Sequence, residues 1–319
     1  MNSLRGVVVG VGNMGRHHAR IIAETAGTEL VAVVDPDPVA RETAARRYGC
    51  AAHEQLATVG MFDFAVVAVP TAHHETVTLE IFERGASVLI EKPLAPTIEG
   101  CLRLATAAEH AGVVLAIGHV ERFNQAIHLL RERLQRPRLL QFERLSPRTE
   151  RTSDSVVMDL MVHDLDLACH LTAEEPLTVD AAGSAVYSRS LDFACAHLVF
   201  PSGCVAALIA SRITHDKIRR IAVSTDTEFL IADALRQDVA VKRETSVEFP
   251  DNAQAWYRQA SIVEVPRLGP GIEPLKAQFS AFVDALREEG PNMVPPSEAM
   301  LAVRLALDIE RRVSQAQWS

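Results

Sequence analysis

The sequence contains few cysteines, and they are not arranged for cross-linking or metal binding. Its 319 residues include five cysteines, an odd number, with no C-x-x-C spacing. A disulfide framework or a zinc knuckle needs paired or closely spaced cysteines, so neither is expected. Scattered cysteines of this kind are typical of reduced core residues. We therefore predict a cytoplasmic protein that holds no metal.

The sequence also lacks an excess of positive charge and any long hydrophobic run. The formal net charge is −9, which argues against nucleic acid or an anionic membrane as the main partner. No apolar run approaches the roughly 18 residues that span a bilayer. The first strand begins almost at the N-terminus, which leaves no room for a signal peptide. The expected partner is a small molecule, with no nucleic acid and no membrane.

Aromatic residues are scarce as well, at 5% of the chain. Trp256 and Tyr257 are adjacent and could stack on a sugar or a base, although a core or interface role is equally open. The hydrophobic fraction of 48% and the charged fraction of 23% are those of a globular protein. The length exceeds the roughly 250 to 300 residues at which single cores stop growing, so two domains are expected.

The first 35 residues carry the pattern of a dinucleotide site. A short apolar strand ends in the turn GVGNMG (10–15), and a helical pattern follows. Such a turn lets backbone N–H groups approach a pyrophosphate at the helix N-terminus. A second apolar strand ends at Asp35, where an acidic residue accepts hydrogen bonds from the adenosine ribose and its charge disfavours NADP. His17 and His18 are interpreted as packing or surface residues. The predicted NAD-binding residues here are Gly10, Gly12, Asn13, Met14, Gly15 and Asp35.

Apolar strands and helical segments alternate as far as residue 117. This alternation predicts an α/β domain, residues 1–120, with a Rossmann-type, doubly wound parallel sheet that binds the dinucleotide. Ligands bind beyond the carboxyl ends of such strands, so the residues that follow each strand are the candidate site residues. Besides the glycine turn and Asp35, these are residues 70–74, 91–93 and 118–124.

From about residue 139 the pattern changes to short β-like runs joined by turn residues, among them separate strands predicted at 204–211 and 219–225. It predicts a C-terminal α+β domain, residues 121–319, with a large, open and mostly antiparallel sheet. Helical patterns at about 275–289 and 296–315 complete the chain. This domain is expected to bind the substrate. An open sheet has a face to cover, so we expect a homodimer or homotetramer formed through that sheet.

Lys92 follows a strand of the first domain, at the same sheet edge as the glycine turn. Pro93 holds the residue before it in an extended conformation, so Lys92 is expected to project over the crevice. Beside a nicotinamide, its ammonium could hydrogen-bond a substrate oxygen and favour the deprotonated form. A plain surface lysine is the alternative.

The segment DSVVMDLMVHDLDLACHL (154–171) predicts a buried helix with one polar stripe. At 3.6 residues per turn, the stripe contains Asp159, His163, Asp166 and His170. A metal site and a solvated groove without chemistry are alternatives. The favoured interpretation is that Asp159 orients His163, which acts as a base near neutral pH.

Five motifs, taken in order, resemble the Gfo/Idh/MocA family of oxidoreductases: GVGNMGRHHAR, VPTAHHE, EKPL, GHVERFN and MDLMVHDLDLA. The resemblance implies an NAD-dependent dehydrogenase acting on a CH-OH group of a sugar or sugar nucleotide. It implies that Lys92 is the catalytic lysine, and that Asp159 and His163 form the substrate-binding and acid–base pair. It also implies that the nicotinamide end of the cofactor site is lined by Thr71 and His74, next to Pro70, together with Glu91 and Lys92.

Within that family, GHVERFN and VVMDLMVHDLDL most resemble the sugar-nucleotide branch. This resemblance implies oxidation of the C3 hydroxyl of UDP-N-acetylglucosamine to a 3-keto sugar. Arg122 and Asn124 are expected to contact the sugar, with local structure at the entry to the second domain as the alternative. Two other functions remain open: dehydrogenation of a free polyol or inositol, and non-catalytic sensing of a dinucleotide or sugar. A sensor needs neither Lys92 nor the Asp159/His163 pair, which favours an enzyme.

Overall fold

The chain forms two compact units. The structure is a computed structural model that describes residues 3–148, 154–249, 256–266, 273–288 and 294–315. The first unit comprises Met1–Val120 and Glu273–Arg304, and the second comprises Glu121–Ile272 and Leu305–Ser319. The second domain predicted from the sequence ran through to residue 319. The structure differs because residues 273–304 pack with the first unit.

The first unit contains a six-stranded sheet in the order β3-β2-β1-β4-β5-β6, and all of its strand pairs are parallel. This order confirms the predicted doubly wound Rossmann sheet. The edge strand β3 was not predicted, since its three residues form no apolar run. The strands are β1 (Leu4–Val9), β2 (Thr28–Val34), β3 (Ala51–His53), β4 (Phe64–Val67), β5 (Ser87–Ile90) and β6 (Leu115–Ile117); the helices between them are α1 (Gly15–Glu24), α2 (Pro38–Tyr48), α3 (His74–Phe82) and α4 (Ile98–Ala111).

Local sequence sets the ends of α2 and α4. The Asp37 side chain accepts a hydrogen bond from the first turn of α2, and Gly49 ends that helix with φ of 68°. Thr97 caps α4 in the same way, and Gly112 ends it with φ of 63°. Short polar side chains at the start and left-handed glycines at the end are the usual helix-terminus signals.

Three aromatic rings explain why α7 (Pro274–Leu286) joins the first unit. Phe279 and Phe282 are fully buried, and each of their ring centroids lies 5.7 Å from that of Phe64 in β4. Burying a phenylalanine side chain stabilises a fold by about 1.5 to 3 kcal/mol. The apolar face of α7 is therefore part of the core beneath the parallel sheet.

The second unit contains a seven-stranded sheet in the order β13-β12-β11-β10-β9-β8, with β7 pairing to β10. The sheet is mostly antiparallel, as predicted. One long strand, β10, replaces two predicted strands. Its residues 205–211 run parallel to β7, and its residues 218–224 return along β7 in the opposite direction, so that Ser224 pairs with Leu139. The strands are β7 (Leu139–Pro147), β8 (Thr178–Ser184), β9 (Phe193–Val199), β10 (Val205–Ser224), β11 (Glu228–Asp233), β12 (Asp238–Phe249) and β13 (Trp256–Glu264); the helices are α5 (Gln125–Arg133), α6 (Val162–Thr172) and α8 (Pro296–Gln315), which divides between the two units.

The described part of the chain contains no helix that is both long and apolar enough to cross a bilayer. Nor do three or more His, Cys, Asp or Glu side chains lie together there as a metal-binding group.

Candidate active site

The glycine turn between β1 and α1 is closely packed at its two ends and open in the middle. Gly10 has φ of +86°, and a Cβ there would lie 2.6 Å from the carbonyl oxygen of Ala68. A Cβ on Gly15 would lie 1.7 Å from the carbonyl oxygen of Gly10. A Cβ on Gly12, by contrast, would meet nothing within 4 Å. Only glycine therefore fits at positions 10 and 15, and the surface over Gly12 is open to a ligand.

The N-terminus of α1 is suited to an anion. Met14 occupies its N-cap without donating or accepting a side-chain hydrogen bond, and the first turn contains no acidic residue. Gly12, Asn13 and Met14 are exposed, between buried Val11 and Gly15. Backbone N–H groups at a helix N-terminus favour a negatively charged ligand. The turn thus fits the pyrophosphate of a dinucleotide.

Asp35 follows β2 and holds the glycine turn. Its Oδ2 accepts a hydrogen bond from the Val11 N–H at 2.8 Å, and its Oδ1 accepts one from the Asp37 N–H at 2.9 Å. A carboxylate has about four acceptor positions, so positions remain for the hydroxyls of a ribose. The half-buried Asp35 can therefore support the turn and bind a ribose at the same time.

A cavity of about 560 Å³ lies beside the turn in the first unit. Its size is within the range of small-molecule sites. Its lining is largely apolar, which suits an adenosine. The turn, Asp35 and this cavity together fit NAD. Lining residues include Gly10, Val34, Pro36, Leu56, Val69, Pro70 and His73.

Replacing Asp35 with Asn is expected to weaken NAD+ binding about tenfold and to improve the relative binding of NADP+. The amide oxygen keeps an acceptor for the Val11 N–H, but the amide nitrogen cannot accept from the Asp37 N–H, and the charge that repels a 2′-phosphate is lost. The measurement is the ratio of the two dissociation constants by fluorescence titration. Asp37→Asn is the control, because asparagine caps α2 equally well. An unchanged ratio in Asp35→Asn would mean that other residues bind the ribose.

Lys92 lies at the carboxyl end of β5 and is half-buried. The backbone before it is fixed to both neighbouring strands: the Glu91 N–H donates to the Val67 carbonyl at 2.9 Å, and the Gly118 N–H donates to the Ile90 carbonyl at 2.7 Å. The Lys92–Pro93 peptide bond is cis. The lysine is thus held at the sheet edge where ligands bind in this fold.

Glu91 is paired with His18, a residue that sequence reasoning had interpreted as packing or surface. The Nε2 atom of His18 lies 2.7 Å from Oε1 of Glu91, and His18 is fully buried. Burial raises the pKa of Glu91. The His18 hydrogen bond and the charges of His18 and Lys92 lower it by more, so the pKa lies below its ordinary value. Glu91 is therefore an anion next to Lys92. The HH pair in the glycine-turn motif was the only sequence signal for this role.

His74 does not fit the expected contact with the nicotinamide. It is buried inside the first unit, with Nδ1 2.9 Å from the Pro93 carbonyl oxygen and Nε2 3.0 Å from the Val69 carbonyl oxygen. Both ring nitrogens are thus occupied by backbone groups. The ring connects the segment after Lys92 to the segment after β4. Of the other residues expected there, Pro70 lines the cavity and Thr71 begins a short 3₁₀ turn.

In the second unit, the helix with the candidate acid–base pair is not regular. Val157–Met161 forms a π-helical turn before α6 begins, so 3.6 residues per turn was wrong for the stretch around Asp159. Such turns occur frequently at functional sites. Asp159 lies in this turn, with 33% of its side chain exposed, and it accepts a hydrogen bond from Arg212 Nη2 at 2.7 Å. His163 is half-buried, one turn further on.

Arg212 is a second residue that the sequence did not reveal. It lies on β10, is buried, and donates both to Asp159 and to the backbone carbonyl of Asp154. A charge-assisted hydrogen bond of this kind fixes the carboxylate and favours its ionised form. The orienting action of Asp159 on His163 stays a prediction.

The remainder of the predicted stripe is tied to other partners. Asp166 forms a bidentate ion pair with Arg122, with distances of 2.8 and 2.5 Å, and both side chains are buried. His170 lies 2.5 Å from Arg131, measured from Nδ1 to Nη1. Burial and the charges of Arg122 and Arg131 lower the pKa of His170 to about 3. Of the four stripe residues, only Asp166 is fully buried, while Asp159, His163 and His170 are half-buried.

Arg122 and Asn124 have structural roles in place of the expected sugar contacts. The Arg122 guanidinium is paired with the Asp166 carboxylate. Asn124 is buried and caps α5, accepting from the Ala126 N–H at 3.0 Å and donating to the Ala234 carbonyl at 2.8 Å. The alternative, local structure at the entry to the second unit, is therefore the better description of both. The side chains of Trp256 and Tyr257 lie outside the described residues.

Similarity to known proteins covers both units. A family model described as an oxidoreductase family with an NAD-binding Rossmann fold matches residues 4–119, and one described as the GFO/IDH/MocA C-terminal domain matches residues 125–229. The chain is 35% identical over 244 residues to UDP-N-acetylglucosamine 3-dehydrogenase of Acidithiobacillus ferrooxidans, covering 76% of this chain and 77% of that one. A solved structure of that enzyme has a TM-score of 0.87 at 29% identity and covers 99% of both chains. The scyllo-inositol 2-dehydrogenase of Bacillus subtilis is 23% identical, covering 97% of this chain and 98% of its own.

Proposed function

The chain belongs to the Gfo/Idh/MocA oxidoreductases, an NAD-binding family, and on that premise we propose that it oxidises the C3 hydroxyl of UDP-N-acetylglucosamine to a 3-keto sugar. The observation that carries the proposal is the 35% identity to a dehydrogenase of that substrate, over three quarters of each chain. The two matching family models add the oxidoreductase class and the cofactor.

The cofactor is assigned to residues of the first unit. We place its pyrophosphate on residues 12–15, its adenosine ribose on Asp35 and its adenine in the 560 Å³ cavity. When bound, NAD+ supplies the acceptor for a hydride. Glu91 and Lys92 are assigned to the nicotinamide end because they follow β5, which only β4 separates from β1 and its glycine turn.

The substrate hydroxyl is assigned to Lys92, Asp159 and His163. His163 accepts the hydroxyl proton as the hydride leaves the same carbon, which turns the alcohol into a ketone. The Lys92 ammonium stabilises the negative charge that develops on the oxygen. Asp159, held by Arg212, binds the sugar and orients the imidazole. In a second version Lys92 is a neutral amine and itself accepts the hydroxyl proton, becoming the ammonium.

The test is formation of reduced cofactor, followed at 340 nm, with three candidate substrates. We expect UDP-N-acetylglucosamine to exceed myo-inositol and scyllo-inositol in kcat/KM by at least about a hundredfold. A free polyol is the second candidate, favoured by the similarity to scyllo-inositol 2-dehydrogenase along nearly the entire chain. Faster oxidation of an inositol would establish that candidate instead. A lack of reduced cofactor with every substrate would favour a sensor.

Assembly through the sheet of the second unit is part of the proposal. Its edge and outer positions expose apolar side chains, among them Val199 at 37% and Ile209 at 46% on neighbouring strands. Exposed apolar residues that face outward from an open sheet favour association with another copy. A homodimer or homotetramer is the expected form, and sedimentation measures it.

A further inference from the structure

We propose that Arg148 and Tyr187 bind the nucleoside diphosphate part of the substrate, with Tyr187 stacking on the base and Arg148 pairing with phosphate. This inference rests on the proposed function, since a free polyol has neither group. It concerns a surface of the second unit that lies next to Asp159 but takes no part in the proton and hydride transfer.

The first observation is positive charge in an acidic chain. The net charge of the protein is −9, but arginines lie together where β7 ends. Arg148 is exposed just beyond β7. Arg219 donates to the Leu145 carbonyl at 2.5 Å and to Ser146 Oγ at 2.8 Å. Within the described residues, Arg219 forms no ion pair with a carboxylate, and its hydrogen bonds go to neutral oxygens.

Arg219 remains a cation at neutral pH. Burial, and then the charge of Arg144, lower its pKa to about 10, well above 7. The charges of Asp164, Glu121 and Asp159 raise this pKa and offset part of the cost of burial, and a further anion in contact with the guanidinium adds to that stabilisation. A diphosphate supplies that anion, since guanidinium groups form bidentate hydrogen bonds with phosphate oxygens.

The second observation is an exposed aromatic ring on a fixed loop. Tyr187, one of three tyrosines in the chain, is 58% exposed, and the Arg148 guanidinium carbon lies 5.4 Å from its ring centroid. Buried Asp192 holds the loop by accepting three backbone hydrogen bonds, from Val186, Tyr187 and Ser188, at 2.7, 2.6 and 3.0 Å. Burial raises the pKa of Asp192, but these hydrogen bonds lower it by more, so that the pKa is about 2.

A fixed ring loses little conformational entropy when a base stacks on it. A base can stack on an aromatic side chain without hydrogen bonds to its edge, because every base has a flat π-face. The loop therefore presents a surface suited to a flat, aromatic group, next to a positive charge suited to phosphate.

The third observation places this surface beside the candidate catalytic carboxylate. The Arg212 backbone N–H donates to the Asp192 carbonyl at 2.8 Å, and the Arg212 side chain donates to Asp159 at 2.7 Å. One buried arginine thus bonds both the base of the Tyr187 loop and Asp159. A sugar nucleotide has its sugar at one end and its base at the other, so a sugar at Asp159 leaves the diphosphate and base to extend toward the loop.

The test uses Tyr187→Ala and Arg148→Gln in the full chain. UDP binding is measured by calorimetry, and KM and kcat are measured with UDP-N-acetylglucosamine and NAD+. We expect each variant to raise the Kd of UDP and the KM about tenfold, with kcat changed by less than about twofold. The Kd of NAD+ should be unchanged, and the retained kcat shows that the second unit of each variant is folded.

The chain offers a matched control. Arg47 lies over Tyr48 in the first unit, with 5.5 Å between its guanidinium carbon and the ring centroid. That pair belongs to α2, away from the proposed surface. Arg47→Gln removes the same kind of contact and should leave the Kd of UDP and the KM unchanged.

The outcomes separate this inference from the proposed function. If the wild-type protein binds UDP, the variants weaken that binding and no substrate is oxidised, the inference stands and the proposed function fails. If the wild-type protein oxidises UDP-N-acetylglucosamine and both variants keep its KM and its Kd for UDP, the inference is overturned and the function stands.

Absence of UDP binding by the wild-type protein overturns the inference. So does a variant that alters only the sedimenting mass, because the pair would then contact a second copy.

Discussion

Lys92→Met is expected to lower kcat for sugar oxidation about a thousandfold, the cost of removing a donor that stabilises a developing oxyanion. Methionine has a similar length but no charge, so the half-buried position after β5 is filled without the ammonium. Most of the cofactor contacts are assigned to the glycine turn, Asp35 and the cavity, and Lys92 adjoins only the nicotinamide end, so the Kd of NAD+ should change by less than about twofold. The measurements are the rate at 340 nm with both substrates saturating and a fluorescence titration with NAD+.

Lys276→Met is the matched control for this variant. Lys276 is an exposed lysine on α7, in the same compact unit, and the proposal gives it no role. Its replacement should leave both kcat and the Kd of NAD+ unchanged. Oxidation by Lys92→Met at the wild-type rate would remove Lys92 from the mechanism.

His163→Asn is expected to lower kcat by about 10² to 10³, within the range for a lost general base. A histidine base must be neutral to accept a proton, so wild-type activity should fall as the pH decreases through the region in which histidine gains its proton, about pH 5 to 8. The variant has no such group and should lose that acidic limb. A profile of kcat/KM against pH measures both effects.

His170→Asn tests whether any histidine of the helix would produce the same result. It lies two turns beyond His163 on α6, and its pKa of about 3 keeps it neutral across the assay range. Its replacement should change kcat by less than about twofold and leave the profile unchanged. If His163→Asn keeps both its rate and its acidic limb, Lys92 is the better candidate for the base.

The first unit was largely predictable because its signals are local. Apolar strands alternate with helices whose ends are marked in the sequence, as Asp37 and Gly49 mark α2. The glycine turn and Asp35 were also found, because their spacing along the chain is set by a single strand, helix and strand. Signals of this kind can be found within one short stretch of sequence.

Several site residues were not predictable, because their roles depend on partners far along the chain. His18 pairs with Glu91, 73 residues away, and Asn124 donates to Ala234, 110 residues away. A buried polar side chain that is satisfied by the protein has the same residue type as one that binds a ligand. This is why Asn124 and Arg122 were expected to contact the sugar, and why Arg212 was missed.

Backbone irregularities account for the other differences. The π-helical turn at Val157–Met161 changes the position of Asp159 relative to the rest of the helix, and the segment that forms it reads as an ordinary apolar helix. The long strand β10 was read as two strands because polar residues interrupt its apolar pattern at 212–217.

The most direct test of the central claim is the transfer of a labelled hydrogen. UDP-N-acetylglucosamine carrying deuterium at C3 is incubated with the protein and NAD+, and the reduced cofactor is examined by mass spectrometry. The proposed reaction predicts that the reduced cofactor carries the deuterium and that the sugar product has lost it. Reduced cofactor without deuterium, or a sugar that keeps its label while the cofactor stays oxidised, would contradict the account.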